Sequence, residues 1–334
     1  MYPRLRRILF RLDPEAAHHL TLQALRVAGN FPLSNWFLGQ LYKVPSKPVR
    51  AFGLRFKNPV GLAAGYDKDA IAIRGLSALG FGHVEVGTVT LKPQPGNPKP
   101  RVFRLIEDEA VINRMGFPGK GAEYASRQLS TVHHRSTVIG VNLGKNKDTP
   151  LEEAASDYLE LMRRFMPNAD YLTINISSPN TVGLRRLQGR EMLEKLLGQI
   201  NLERKTWSMK LPILVKIAPD LSDEELDDAI GVILDRGMDG VIATNTTLAR
   251  EGLRSKHQGE SGGLSGSPLR GRSEAVLSRV VELVNGRVPV ISAGGIMCPD
   301  DAKKRLALGA SLVQVYTGLI YRGPNLVREI VESL

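Results

Sequence analysis

The sequence predicts an α/β protein, a (β/α)8 TIM barrel carrying a small N-terminal helical extension. Three observations carry that expectation. From residue 51 onward, apolar runs rich in Val and Ile alternate with helical segments, the pattern of a parallel sheet with crossover helices. Eight such runs fit a closed barrel better than a doubly wound open sheet. The runs also end repeatedly in glycine, amide, hydroxyl or lysine residues, and the carboxyl ends of barrel strands converge on one pocket.

Composition bounds the class of molecule. The chain has 334 residues, and a hydrophobic fraction of 42% is normal for a soluble protein with a sizeable core. Lys and Arg number 45 against 34 Asp and Glu, giving a formal charge of +11. That balance suits an anionic partner: a phosphate ligand, an acidic substrate, nucleic acid or an anionic membrane surface. Cys298 is the only cysteine, which excludes a disulfide framework and a Cys-rich metal site and fits a reducing compartment. No apolar run is long enough to span a bilayer as a helix. The patch Ile8-Leu9-Phe10 is cut off by Arg11, Asp13 and Pro14 before a signal-peptide core can form, so secretion is not expected.

Residues 1–48 are expected to form the extension and residues 49–334 the barrel. Leu5, Ile8, Leu9 and Leu12 fall at helical spacing among Arg4, Arg6, Arg7 and Arg11, a basic amphipathic helix. Asp13-Pro14-Glu15 reads as the N-cap, first position and first-turn acid of a second helix that stops at Gly29-Asn30. A third apolar piece holds Trp36, Phe37, Leu38, Leu41 and Tyr42. Such helices can cap the barrel, and aromatic residues beside Arg and Lys also suit a membrane interface. Pro45 and Pro48 mark a linker.

The barrel strands are expected at Asn58 to Ala64, His83 to Thr90, Thr137 to Leu143, Tyr171 to Ser177, Ile213 to Ala218, Gly240 to Thr246, Val288 to Ala293 and Ser311 to Tyr316. Two connections are too long for a crossover helix. Residues 91–121 are rich in Pro and Gly around strand-like pieces at Arg101 to Leu105 and Ala110 to Asn113. Residues 248–272 hold Gly252, Gly259, Gly262, Gly263, Gly266 and Gly271. Both follow strands, so both lie on the catalytic face as candidate lids.

The fourth strand organises the chemistry. Thr173-Ile174-Asn175-Ile176-Ser177-Ser178-Pro179-Asn180 starts as a β-branched strand and ends in amides, hydroxyls and a proline that cannot extend it. Desolvating so many polar groups costs several kcal/mol in all unless a partner receives them. A polar strand-to-loop turn accounts for one such stretch alone, but the event recurs at nearly every strand end. Gly294-Gly295 and Tyr316-Thr317-Gly318, after the last two strands, stand where such barrels cradle a phosphate. Lys216 lies in the apolar strand Leu214-Val215-Lys216-Ile217, and alternation points it inward with Leu214. It suits a Schiff base or a positive charge beside an electron-rich cofactor, and a buried ion pair is the structural alternative. No histidine and no carboxylate pair stands at the strand ends.

These motifs together resemble the dihydroorotate dehydrogenases, and more narrowly their membrane-associated, quinone-dependent class. The resemblance rests on Ala64-Gly65 with Asp67-Lys68, Asn113-Arg114-Met115-Gly116-Phe117, Asn142-Leu143-Gly144-Lys145-Asn146, Asn175 to Asn180, Lys216-Ile217-Ala218-Pro219, Thr244-Asn245-Thr246 and Gly263-Leu264-Ser265-Gly266. It covers essentially the whole chain. It implies one FMN per chain and oxidation of dihydroorotate to orotate in pyrimidine synthesis, with ubiquinone or a related quinone as acceptor. It also implies a peripheral location on the cytoplasmic face of the bacterial inner membrane, whose anionic surface the N-terminal helices would meet. A nucleic-acid partner is not implied.

Carried over by position, Ala64, Gly65, Thr88, Asn142, Asn175, Lys216, Thr244, Gly266, Gly295, Tyr316 and Thr317 are expected around the flavin. Lys68, Asn113, Arg114, Met115, Gly116, Phe117, Asn175, Asn180, Asn245 and Thr246 are expected around the substrate. An anionic substrate wants Lys68, and an imide ring wants amides that both donate and accept. Ser178 matches the catalytic base that removes the C5 proton, with Thr181 and Phe117 on its proton route. The related soluble classes use cysteine there, and Cys298 lies elsewhere. Arg104 matches a position lining the apolar quinone tunnel under the N-terminal helices. Tyr66 stands where a smaller aliphatic residue is common, and Thr317 where serine is common.

Three other readings compete at this stage. A dihydrouridine synthase acting on tRNA is also a flavin barrel and explains the basic charge, but it calls for a pocket cysteine and an RNA-binding appendage. A Schiff-base lyase built on Lys216 needs no flavin. A non-catalytic phosphate-binding barrel leaves the polar strand ends without a purpose.

Overall fold

The computed structural model describes residues 2–132 and 137–334; Met1, the first residue of the expected extension, lies outside the described residues. Three helices come first: α1 (Tyr2–Leu9), α2 (Pro14–Asn30) and α3 (Pro32–Leu41). Asp13 caps α2 as its spelling predicts, its carboxylate accepting from the backbone N–H groups of Glu15 and Ala16, with Pro14 at the first helical position. The expected linker then runs into an antiparallel hairpin that the sequence reading missed, β1 (Val49–Ala51) and β2 (Leu54–Phe56). Its strands are too short to show a period, and its turn at Phe52-Gly53 takes positive φ at both residues.

The barrel follows. Its strands are β3 (Val60–Leu62), β4 (His83–Val89), β7 (Val138–Leu143), β8 (Tyr171–Asn175), β9 (Ile213–Ile217), β10 (Gly240–Ala243), β12 (Val290–Ala293) and β13 (Leu312–Val315). They pair in parallel in that order, and β13 closes on β3. All eight predicted strands are present, each shorter than expected by one to three residues at one end or both. Between them run α4 (Ile73–Ala78), α5 (Gly121–Ser130), α6 (Ala154–Phe165), α7 (Arg190–Lys205), α8 (Asp223–Asp235), α9 (Arg270–Val284) and α10 (Pro299–Ala307). The chain ends in α11 (Thr317–Arg322) and α12 (Asn325–Ser333). Burial on both faces explains the near-continuous apolar runs of the strands.

The barrel interior is packed in layers. At the bottom, a Cβ on Gly61 would meet the His83 ring at 2.1 Å, and one on Gly140 would meet the Tyr171 ring at 2.1 Å. Glycine at both positions makes room for two large rings. The hairpin plugs this end, Ala51 and Phe56 packing with Tyr171, Leu214, Ile242, Ile291 and Leu312.

The two long connections join each other. β5 (Val102–Leu105) and β6 (Ala110–Asn113) from the first pair antiparallel, and β11 (Gly263–Gly266) from the second adds to β6, pairing Gly263 with Asn113 and Gly266 with Ala110. The lids expected separately are one three-stranded sheet over the carboxyl face. Helix α2 packs against α4 at small residues: a Cβ on Gly75 would stand 2.2 Å from the Leu25 carbonyl.

Candidate active site

The strand ends, the sheet β5-β6-β11 and helices α1 and α2 enclose one continuous cavity of about 420 Å³. Its polar end is built on the tip of β8. Asn175 Nδ2 donates to Thr88 Oγ1 at 3.0 Å and to Asn142 Oδ1 at 2.9 Å, and its Oδ1 accepts from the Ser177 backbone N–H at 3.2 Å. Asn245 Nδ2 donates to Ser177 Oγ at 2.9 Å, while its Oδ1 accepts from Thr246 N–H at 2.8 Å. Ser178 is buried and lines the cavity. Its Oγ accepts from the Asn180 backbone N–H at 3.3 Å, a bond that stabilises negative charge on that oxygen. Asn180 Nδ2 in turn donates to Asn113 Oδ1 at 3.1 Å.

Two side chains that the sequence reading passed over hold these loops. Asn97 Nδ2 donates to the carbonyls of Asn180 and Arg114 at 3.1 and 3.0 Å. Arg185 donates to the Ser177 carbonyl at 3.0 Å, the Thr246 carbonyl at 2.8 Å and Asp220 at 2.7 Å, tying the β8 and β10 loops together. Nothing local in their spelling marks them, because their partners, backbone carbonyls and the Asp220 carboxylate, lie 8 or more residues away in sequence.

Charge is placed at two points. Lys68 donates to the Gly65 carbonyl at 2.5 Å, and burial pulls its ammonium down to about 8. Lys216, on β9 beside Asn175, lines the cavity from inside the barrel. Burial lowers it, with Glu85 opposing that shift, and no wall residue among those described hydrogen-bonds to it. At another part of the wall, Gly294 and Gly295 meet Ser265 and Gly266 of β11 and Thr317 at the start of α11. The Thr317 and Ser265 hydroxyls bond at 2.8 Å, so threonine keeps the hydroxyl expected there.

The other end is apolar. Tyr2, Leu5, Leu9, Phe10 and Leu25 line it with Tyr316 and Ile320. Arg104 lies over the Phe10 ring at 4.8 Å and donates to the carbonyls of Leu9 and Leu12, so it pins the end of α1. Tyr66 joins the two ends. Its ring meets Tyr316 at 6.0 Å and His18 at 4.9 Å, and its hydroxyl lies 3.2 Å from Thr21 Oγ1. His18, which stands outside the expected site, lines the cavity, and burial lowers its imidazole to about 3.

Of the expected site residues, Ala64, Gly65, Lys68, Thr88, Asn113, Met115, Gly116, Phe117, Asn175, Ser178, Asn180, Lys216, Thr244, Asn245, Thr246, Gly266, Gly295, Tyr316, Thr317 and Arg104 line the cavity. Three stand outside its wall. Asn142 lies one layer beneath, behind Thr88 and Asn175. Arg114 turns away, pairing with Glu260 at 2.6 Å and covering the Phe103 ring at 4.6 Å. Thr181 is buried in the loop beyond the base, its carbonyl accepting from Leu184 N–H at 3.2 Å.

Known proteins give this site its context. The family model "Dihydroorotate dehydrogenase" matches residues 48–334. A "Dihydroorotate dehydrogenase (quinone)" from Idiomarina loihiensis is 49% identical, with all of both chains covered. One from Azotobacter vinelandii is 47% identical over all of this chain and 96% of its own length. Among solved structures, DHODH from Eimeria tenella in complex with ferulenol superposes with a TM-score of 0.89 at 41% identity, covering 98% of this chain and 93% of that one. A barrel with this cavity, matched from end to end by such relatives, belongs to the dihydroorotate dehydrogenase family and aligns throughout with its quinone-dependent members.

Proposed function

We propose that the chain oxidises dihydroorotate to orotate at the polar end of the cavity and passes the electrons to ubiquinone, or a related quinone, entering at the apolar end. The observation that carries this reading is the continuity of one cavity between amide-rich strand tips and the apolar faces of α1 and α2.

The wall residues fit FMN. Gly266, Gly294 and Gly295 offer closely approachable backbone beside the Thr317 and Ser265 hydroxyls, which suits a phosphate, and the Lys216 ammonium has no hydrogen-bond partner in the wall. Ala64, Gly65, Thr88, Asn175, Thr244, Gly295 and Tyr316 would hold the rest of it. When bound, the flavin supplies a hydride acceptor for C6 of dihydroorotate and a donor to the quinone.

The protein's part is binding, orientation and a proton. Lys68 would attract the substrate carboxylate, and Asn113, Asn175, Asn180 and Asn245 offer the donors and acceptors that an imide ring needs. Ser178 would take the C5 proton on Oγ, supported there by the Asn180 N–H. Serine is a weak base at neutral pH, so the step needs this donor and a site closed to water. The lid sheet closes it: a Cβ on Gly263 would fall 1.9 Å from Thr246 Oγ1, so only glycine lets β11 lie this close to the substrate loops.

No helix among the described residues is long and apolar enough to cross a membrane. Leu5, Ile8, Leu33, Trp36 and Phe37 are nevertheless exposed beside Arg4, Arg7 and Arg11. That surface suits peripheral docking on anionic lipid, at the cytoplasmic face of the inner membrane, where a quinone would enter between the helices. Anaerobic addition of dihydroorotate to the purified protein should bleach its flavin, and a ubiquinone analogue should restore the colour while fumarate and NAD do not. Failure to bleach overturns the substrate, and reoxidation by fumarate or NAD overturns the acceptor.

A further inference from the structure

A carboxylate sits in the middle of the barrel without a part in the chemistry described so far. Glu85, on β4, is fully buried. Its Oε1 accepts from Asn142 Nδ2 at 2.8 Å, and its Oε2 accepts from Gln314 Nε2 at 2.9 Å, Tyr171 OH at 3.1 Å and Thr173 Oγ1 at 3.3 Å. Four donors from three other strands converge on one acceptor group, an arrangement that satisfies an ionised carboxylate and no neutral side chain of that size.

The consequence reaches the substrate loops through amides, whose two ends are interchangeable in shape but not in function. The carboxylate only accepts, so Asn142 must turn Nδ2 down toward it and Oδ1 up toward Asn175. Asn175 must then turn Nδ2 toward Asn142 and Oδ1 toward the β8 tip. The far end agrees independently. Backbone N–H groups only donate, and those of Ser177 and Thr246 meet Asn175 Oδ1 and Asn245 Oδ1. One sense of the whole run satisfies both ends. Reversing any member would set like atoms against each other at hydrogen-bond distance. Glu85 also acts on Lys216, its negative charge opposing the lowering that burial imposes on the ammonium.

We propose that Glu85 is the positioning residue of this site: its carboxylate fixes the donor and acceptor sense of Asn142 and, through it, of Asn175, and places a negative charge inside the barrel that Lys216 lines. The inference rests on the flavin-dependent reading above. The other titratable groups nearby are Tyr171 on β8, which donates to Glu85, His83 on β4, whose ring lies 6.4 Å from that of Tyr171, and Tyr316 beyond β13, which lines the cavity with Lys216. Burial holds both tyrosines neutral by raising them and His83 neutral by lowering it to about 3, so Lys216 is the cation that loses a favourable neighbour when Glu85 is lost.

Glu85→Gln tests this by keeping shape and removing charge. In the holoenzyme, anaerobic rapid mixing with dihydroorotate should give flavin reduction slowed about 10- to 100-fold, as for a misplaced reacting pair, with the substrate concentration for half-maximal rate little changed. The midpoint potential of the bound flavin should shift, and the reduction rate should fall with rising pH at lower values than in the parent, because an uncompensated Lys216 gives up its proton more readily. Glu85→Asp should restore the parent's pH profile without its full rate. Thr173→Val, which keeps the fold by preserving shape and removes one donor to Glu85, should slow reduction in the same direction by a smaller factor. Parental rate, potential and pH profile in Glu85→Gln overturn the proposal, as does a parental rate in Thr173→Val if Glu85→Gln does not fold. A parent protein that dihydroorotate does not bleach overturns the function itself, whatever the variants do.

Discussion

The two ends of the cavity are held in opposite ways. At the polar end, direction is fixed: Thr88, Asn142, Asn175, Ser177 and Asn245 bond one another, and Arg185 and Asn97 tie the loops that carry them. At the helical end the wall is mostly hydrocarbon, with Glu15, His18, Thr21 and Arg104 set among the apolar side chains. Its directional bonds, among them Tyr2 to the Ile320 carbonyl, Arg6 to the Tyr321 carbonyl, Arg104 to the Leu9 and Leu12 carbonyls and Arg101 to the Glu15 carboxylate, fasten the helices to the barrel. The difference follows the chemistry each end serves. Moving a proton and a hydride needs atoms held to fractions of an ångström. Admitting an apolar ring needs only a surface that water does not hold, because burial of hydrocarbon is non-directional.

The sharpest way to break that contrast is at the base. Ser178→Ala should keep flavin and bind orotate, yet slow flavin reduction by dihydroorotate about 10²- to 10⁴-fold, the range for loss of a general base. Reoxidation of dithionite-reduced protein by a quinone analogue should stay at the parental rate. Rapid-mixing absorbance at the flavin band reads both, and unchanged reduction in the variant would remove Ser178 from the mechanism.

The converse damage belongs to the apolar end. Leu9→Glu puts a carboxylate into the hydrocarbon wall, where an unpaired charge is poorly solvated. Quinone reoxidation should then need about 10-fold more quinone for half its maximal rate, corresponding to roughly 1.4 kcal/mol of lost binding. Reduction by dihydroorotate should not change. A variant slowed equally in both half-reactions would mean that the ends are not separable.

The ends should also differ in pH dependence. Burial lowers Lys68 to about 8, so below that pH its ammonium is charged and attracts the substrate carboxylate, and above it the charge is lost. The dissociation constant for orotate should be flat below about pH 8 and rise up to about tenfold per unit above it. At the quinone end, His18 is neutral at every pH above about 3, so reoxidation should not follow that curve. Lys68→Met should flatten the orotate titration, and a titration that keeps its slope in that variant would assign the ionisation elsewhere.

Legibility in the sequence divides along the same line. All eight barrel strands could be read because burial on both faces writes a mainly apolar run rich in Val, Ile and Leu, and the polar strand tips end it visibly. Asp13-Pro14 marked the start of α2 because capping is local. The hairpin β1-β2 could not be read, since three-residue strands carry no period. Nor could the union of the two long connections: Gly263 pairs with Asn113 across the lid, and no local signal records a contact of that range. Asn142 and Arg114 illustrate the same limit from the other side. Their motifs are where the family resemblance requires, but whether such a side chain faces the cavity or turns to Glu85 or Glu260 depends on partners far along the chain.

Tyr66 stands where the two ends meet, and it separates the two kinds of holding within one side chain. Its ring packs on His18 and Tyr316, while its hydroxyl makes one part-buried bond to Thr21. Tyr66→Phe keeps the ring and deletes the bond, which is worth about 1 kcal/mol or less for a neutral pair. Thermal unfolding should therefore shift by only a few degrees, with quinone and dihydroorotate kinetics at parental values. Helix α2 is held by apolar contact with α4 and by the Arg101–Glu15 ion pair, so the loss of one hydroxyl will not loosen it. A large fall in unfolding temperature, or weakened quinone use, would instead mean that the Tyr66–Thr21 bond orders the cavity wall at the helical end, and the contrast between the two ends would fail at the residue that joins them.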